Sequence, residues 1–215
     1  MVSRFILSAA LVLTIPAFAK DEGAGVAPEA AHQRLVDGNK RFTSEHGRKD
    51  GRSRADVRKL EAGQKPHTIV LSCSDSRVPP ETVFDQGLGE IFTVRVAGEA
   101  LDTSVIASIE YAVEHLGARL ILVMGHTHCG AVKAAIATKT GSAGSPSLDA
   151  LVKDIKPRLP ASTSADVAVE SAGNAKGVAS DLLKRSAIIR EKVTKGEVKI
   201  ESALYHLNDG HVDWQ

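Results

Sequence analysis

The chain has 215 residues, 27 basic and 26 acidic side chains for a formal charge of +1, and is 43% hydrophobic but only 4% aromatic. That length gives one sizeable core and little room for a second, and the ordinary charge and apolar fractions exclude a disordered or fibrous chain. Near-neutrality and scarce aromatics offer neither phosphate attraction nor a stacking surface for bases, so no nucleic-acid partner is expected.

Residues 1–19 read as a secretory signal peptide. Arg4 supplies the positive start, a mostly apolar run extends from Phe5 to Phe18, and Ala17-Phe18-Ala19 fits the small-x-small cleavage pattern ahead of Lys20 and Asp21. The run is shorter than the roughly 18 or more apolar residues of a membrane-spanning helix. Cleavage after Ala19 leaves 26 basic against 26 acidic side chains. The remaining 20–215 are expected to form a single periplasmic domain with no stable membrane association.

Beyond a Gly/Ala-rich leader, the spacing of Ala31, Leu35 and Val36 predicts an amphipathic helix over 29–42, and a second helix is expected over 53–62, stopped by Gly63 and Pro66. Residues 67–72 (HTIVLS) and 91–96 read as buried strands. Val105, Ile106, Ile109, Ala112 and Val113 place a helix over 104–115 before Gly117, and 120–124 (LILVM) is another strand, followed by a helix over 129–137. After a Gly/Ser turn at 141–146, helices are expected over 147–156 and 165–192, then a strand over 198–207 and a turn at Asn208-Asp209-Gly210. Strands alternating with helices imply an α/β fold with a mainly parallel central sheet flanked by helices.

Two strand ends carry the chemistry. Cys73-Ser74-Asp75-Ser76-Arg77 follows the first strand, and His126-Thr127-His128-Cys129-Gly130 follows LILVM. In an open parallel sheet, ligands collect beyond the carboxyl ends of the strands, so both segments belong to one crevice. Gly125 and Gly130 give the second loop room to bend. Thiolates and imidazole are preferred zinc ligands, and three of them with an open position describe a catalytic site: Cys73, His126 and Cys129. Cys129 also begins a helix, where the dipole favours a thiolate. The rival reading is a disulfide between the two cysteines. His128 could compete as a ligand or shuttle protons, whereas His67, His115, His206 and His211 read as surface or capping histidines.

The segments CSDSRVPPE and GHTHCG, at their spacing, resemble the two signatures of β-class carbonic anhydrases. Gly38-Asn39-Lys40-Arg41-Phe42, Gln64-x-Pro66, residues 85–98 and Glu110-Tyr111-Ala112-Val113 extend the likeness over nearly the whole mature chain. The resemblance implies a homodimer or dimer-based oligomer whose N-terminal helices pack on a partner subunit, and one zinc ion per subunit on Cys73, His126 and Cys129. It also implies an Asp75–Arg77 catalytic dyad, substrate-binding Gln64 and Gly130, and a substrate pocket lined by Phe92 and Tyr111, which the neighbouring subunit could supply. The implied reaction is reversible hydration of carbon dioxide to bicarbonate and a proton, with zinc-bound hydroxide oriented by the dyad. Zinc lowers the pKa of bound water from about 15.7 toward 7, a magnitude that belongs to three-histidine carbonic anhydrases; two thiolates should hold it higher. If Arg77 lets go, Asp75 could bind the zinc and shut the site. Departures are Val96 in Arg95-Val96-Ala97-Gly98, where the family often has asparagine, and Ala131 in place of a glycine. Val70 stands where an allosteric subgroup has tryptophan, which implies the non-allosteric kind. Other readings of the same residues are hydrolysis of carbon disulfide or carbonyl sulfide, and a zinc-storing protein without turnover.

Overall fold

The computed structural model describes residues 25–138, 140–161 and 164–215; the signal segment expected at 1–19 lies outside them. Helix α1 (Pro28–Thr43) starts on a proline, with Glu29 in its first turn and Lys40 and Arg41 in its last, so both ends complement the helix dipole. Helix α2 (Arg54–Lys59) is shorter than the sequence pattern suggests; it opens with a capping box between Ser53 and Asp56 and ends at Leu60. Strand β1 (Thr68–Ser72) is buried along its whole length. A single helical turn that the sequence did not announce, α3 (Pro80–Val83), then leads to strand β2 (Ile91–Arg95) and a 3-10 turn, Ala97–Glu99.

Asp102 caps helix α4 (Thr103–His115) by accepting a hydrogen bond from the Val105 amide. Strand β3 (Leu120–His126) is fully buried and runs two residues past its expected end. Helices α5 (Gly130–Ala137) and α6 (Pro146–Ile155) follow, the latter capped by Ser145. The long helix expected over 165–192 is two helices, α7 (Ala168–Arg185) and α8 (Ala187–Thr194). Ser186 makes the break. Its backbone is extended (φ −115°, ψ 114°), and its buried hydroxyl accepts from the Ile189 amide at 3.1 Å and donates to Glu110 at 2.6 Å. A new N-cap with a carboxylate partner outweighs helical continuity at that residue. Strand β4 (Lys199–Tyr205) pairs antiparallel with β5 (Val212–Trp214) around the predicted turn.

The strand order is β2-β1-β3-β4-β5, parallel except for the last pair. Alternate residues of β1 and β3 feed two cores. Val70, Leu120, Leu122 and Met124 pack with α1, α5 and α6 on one face. Ile69, Leu71, Ile121 and Val123 pack with α4, α7 and α8 on the other. Each fully buried aliphatic side chain in these layers contributes about 1.5–3 kcal/mol of transfer free energy. Close packing also sets glycine usage: a Cβ on Gly125 would sit 2.7 Å from the Ser171 carbonyl oxygen of α7, so β3 and α7 approach there only over glycine. Among the described residues, no helix is long and apolar enough to cross a membrane.

After β1 the chain moves to β2 on one side, and after β3 it moves to β4 on the other. The crevice between the carboxyl ends of β1 and β3 is therefore the topological switch point of the sheet. We expect Ser186→Ala to lower unfolding free energy by about 2 kcal/mol, combining loss of a cap with an orphaned carboxylate. Urea denaturation of the variant checks this.

Candidate metal centre

Ser72 pairs with Met124, so Cys73 leaves β1 beside the last residues of β3, Gly125 and His126. Cys129 follows three residues later as the N-cap of α5. The fold brings one ligand atom from each of Cys73, His126 and Cys129 to within 4.8 Å of one another, all three residues buried. Tetrahedral zinc with metal–sulfur bonds of about 2.3 Å needs sulfurs roughly 3.8 Å apart, which this spacing accommodates. Both cysteines are free, so the disulfide alternative is not realised.

His126 supplies the most direct test of fit. Its Nδ1 lies 2.8 Å from the Thr127 carbonyl oxygen, which can only accept, so Nδ1 carries the proton. Nε2 then presents a bare lone pair, buried and without a hydrogen-bond partner. An orphaned imidazole nitrogen facing two sulfurs is costly unless a cation takes the lone pair. Without one, the sulfurs share a proton. The Cys129 thiol holds Cys73 well below the ordinary thiol range by hydrogen bonding to it. That contact, burial and the Glu99 carboxyl push Cys129 upward.

Asp75 and Arg77, expected from the sequence as a catalytic dyad, form a hydrogen-bonded ion pair. Arg77 Nε and Nη2 donate to the two carboxylate oxygens at 2.9 and 2.7 Å, and the Arg77 amide donates at 3.0 Å. The guanidinium holds the Asp75 carboxyl far below the usual carboxylate range. Asp75 Oδ2 lies 4.0 Å from His126 Nε2 and is turned to Arg77. Arg95 braces the loop from behind, donating to the carbonyl oxygens of Cys73 (3.0 Å) and Asp75 (2.6 Å). Gly98 N–H reaches Cys73 Sγ at 3.4 Å. Glu99, fully buried, is raised well above the usual range by desolvation and by the Cys73 charge. Arg95 and Gly98 fall in a motif noted in the sequence, but their contacts could not be read from it.

The second loop bends differently from expectation. The left-handed residue is His128 (φ +58°), exposed, with its amide donating to the Asp166 carbonyl at 2.6 Å. Gly130 has no atom within 4 Å of the place a Cβ would occupy, so it borders open space. Of the histidines expected at the surface, His67 is instead buried, its ring bonded to Thr68 and Gln86, while His206 and His211 share Asp213.

Gln64, Phe92 and Tyr111 are not brought to this chain's own centre. Gln64 is exposed ahead of β1, at the end of the strand opposite Cys73. Phe92 pairs with Ile69 and packs on the α4 side, 6.4 Å between ring centroids from the partly exposed Tyr111, whereas Cys73 and Cys129 belong to the other core.

Fold and site together define an α/β protein with a soft-ligand metal cradle at its sheet's switch point. A family model described as carbonic anhydrase matches residues 68–212. Carbonic anhydrase 2 of Mycobacterium tuberculosis is 36% identical over 187 residues, covering 85% of this chain and 90% of that protein. A carbonic anhydrase of Mycolicibacterium smegmatis is 37% identical over 190 residues, with coverages of 86% and 92%. Among solved structures, a Coccomyxa β-carbonic anhydrase in complex with acetazolamide superposes with a TM-score of 0.65 at 26% identity, covering 84% of each chain. One from Aspergillus fumigatus gives 0.68 at 25% identity, covering 87% and 89%. The chain belongs to the β class of the carbonic anhydrase family and is a carbonate dehydratase.

If the cradle holds a divalent ion, chelation should raise the count of thiols open to a disulfide reagent from about none to both. Cys129→Ser should lose most of the bound metal on elemental analysis.

Proposed function

We propose that this chain catalyses the reversible hydration of carbon dioxide with one zinc ion held by Cys73, His126 and Cys129, and with Asp75 and Arg77 as its catalytic dyad. The observation that carries this reading is the partnerless, buried Nε2 of His126 within 4.8 Å of two free sulfurs, with Asp75 beside it. Zinc in this cradle supplies Lewis acidity and makes water acidic enough to lose a proton near neutral pH.

The chain's residues do the rest. Asp75, kept ionised by Arg77, is an acceptor only, and its remaining lone pair takes a hydrogen bond from the attacking water. That bond fixes the direction of the oxygen lone pair aimed at carbon dioxide. By holding both carboxylate oxygens, Arg77 keeps Asp75 turned away from the sulfur–imidazole cluster. The apolar neighbours Val78, Val132 and Ile155 limit access of bulk water, and the space beside Gly130 leaves room for bicarbonate. His128, exposed at the mouth of the loop, carries the released proton to solvent.

Gln64, Phe92 and Tyr111 act on the centre of a second subunit in a homodimer or multiple of dimers. The outer edge of β2 supports this reading. Among the described residues it ends the sheet, and Phe92, Thr93 and Val94 are only half-buried on it, an edge that a second copy would cover. Residues 1–19 direct export to the periplasm, so N-terminal sequencing of periplasmic protein should begin at Lys20.

Stopped-flow hydration of carbon dioxide, with zinc quantified on the same sample, tests the assignment. We expect Asp75→Asn to lower kcat/KM about 10–100-fold with the metal retained. Arg77→Ala should lose activity at neutral pH as Asp75 is freed. Stoichiometric zinc without acceleration would turn the reading into one of storage. The Asp75 shift also fixes a sign: its folded pKa is depressed, so the pair's stabilisation is present above the unfolded carboxylate pKa and is lost only as pH falls through the lowered one. No acidic limb of the activity profile above about pH 4 should therefore belong to Asp75.

A further inference from the structure

The 3-10 turn Ala97–Glu99 touches a metal-binding sulfur in a way the reaction itself does not require. Gly98 N–H donates to Cys73 Sγ at 3.4 Å. Aiming that amide takes two consecutive left-handed residues, Gly98 (φ +60°) and Glu99 (φ +51°), and the second is a side chain that rarely adopts this conformation. Only glycine fits at the first of these positions, because a Cβ on Gly98 would lie 2.6 Å from Ile155 Cδ1 and 3.0 Å from Ala131 Cβ.

The group that holds the turn comes from α7, far away in the chain. Asn174 is wholly buried, and its Nδ2 donates to the Gly98 carbonyl oxygen at 2.8 Å and to Glu99 Oε2 at 3.1 Å. One amide group thus pins both the backbone and the side chain of the strained turn. Arg95 fixes the Cys73 carbonyl from the neighbouring strand, so the sulfur and its donor are each located by a separate long-range contact.

We propose that Asn174 is a positioning residue of the metal centre: by holding the Gly98–Glu99 turn, it keeps the Gly98 amide on Cys73 Sγ and so limits how much charge that thiolate gives to the metal. Hydrogen bonds to metal-bound sulfur withdraw charge from it and tune the ion. Two thiolates load a metal with more negative charge than imidazoles would, and this contact offsets part of that load. The inference rests on the metal reading of Cys73, His126 and Cys129.

The test uses the mature protein loaded with cobalt(II) in place of zinc. In Asn174→Leu, similar in shape but without a donor, the sulfur-to-cobalt charge-transfer band should move to lower energy. Metal affinity should fall by about tenfold, the low end of second-shell effects, and the pH midpoint of carbon dioxide hydration should rise. A variant that only melts earlier, with band and midpoint unmoved, overturns the proposal. Should Asn174→Leu fail to fold, the wild-type protein loaded with the NMR-active cadmium isotope decides. A scalar coupling between cadmium and the Gly98 amide supports the proposal, and its absence overturns it. Wild-type protein that takes up neither ion sinks the metal reading itself, which the variant's behaviour would not.

Discussion

Parallel pairing of β1 with β3 at the switch point is the constraint on which the rest of the structure depends. Two strands adjacent in space but separated in sequence by β2 and α4 end side by side, with Cys73 just after β1 and His126 at the end of β3. Register matters here more than propensity. Ser72 opposite Met124 sets Cys73 level with the end of β3, and a shift of one residue would turn Val70 and Leu71 to the wrong cores as well as move the sulfur. The apolar layers on both faces therefore hold the metal cradle in place.

The centre is an arrangement of charge in a dry setting. Two sulfurs and an imidazole are buried with a carboxyl, Glu99, while the balancing positive groups, Arg77 and Arg95, stand at its rim and behind its loop. Burial of anionic ligands is tolerable only with a cation among them, and the backbone and amide donors on Cys73 and Glu99 spread what remains. Asp75 differs from Glu99: both its carboxylate oxygens are met by the exposed Arg77 guanidinium, which keeps it ionised beside the sulfur–imidazole cluster.

Much of the fold was legible because its signals are local. Short apolar runs marked β1 and β3, Gly117 marked the end of α4, and helical apolar spacing marked α1 and α4. Legibility failed where a distant partner outvoted the local pattern. The apolar spacing across 165–192 is continuous, yet Ser186 breaks it because Glu110 waits on α4. His67 looks like a surface histidine ahead of a strand, and is buried because Gln86 satisfies its ring. Gln64, Phe92 and Tyr111 lie away from Cys73 within one chain, and a single chain does not test the expectation that they serve a neighbouring subunit's pocket.

By itself the sequence determined the ligand types, their spacing around each loop, and the alternation of strand and helix that places both loops at one edge of a sheet. Those are short-range properties of composition and period, which a chain carries wherever it folds. Only the tertiary structure decided that the sulfurs lie near enough to share an ion, that His126 offers Nε2 and not Nδ1, and that Asn174 reaches across from α7 to hold the Gly98–Glu99 turn. These depend on distances between segments far apart in the chain, and such distances are set by how the two cores pack, which no local pattern encodes.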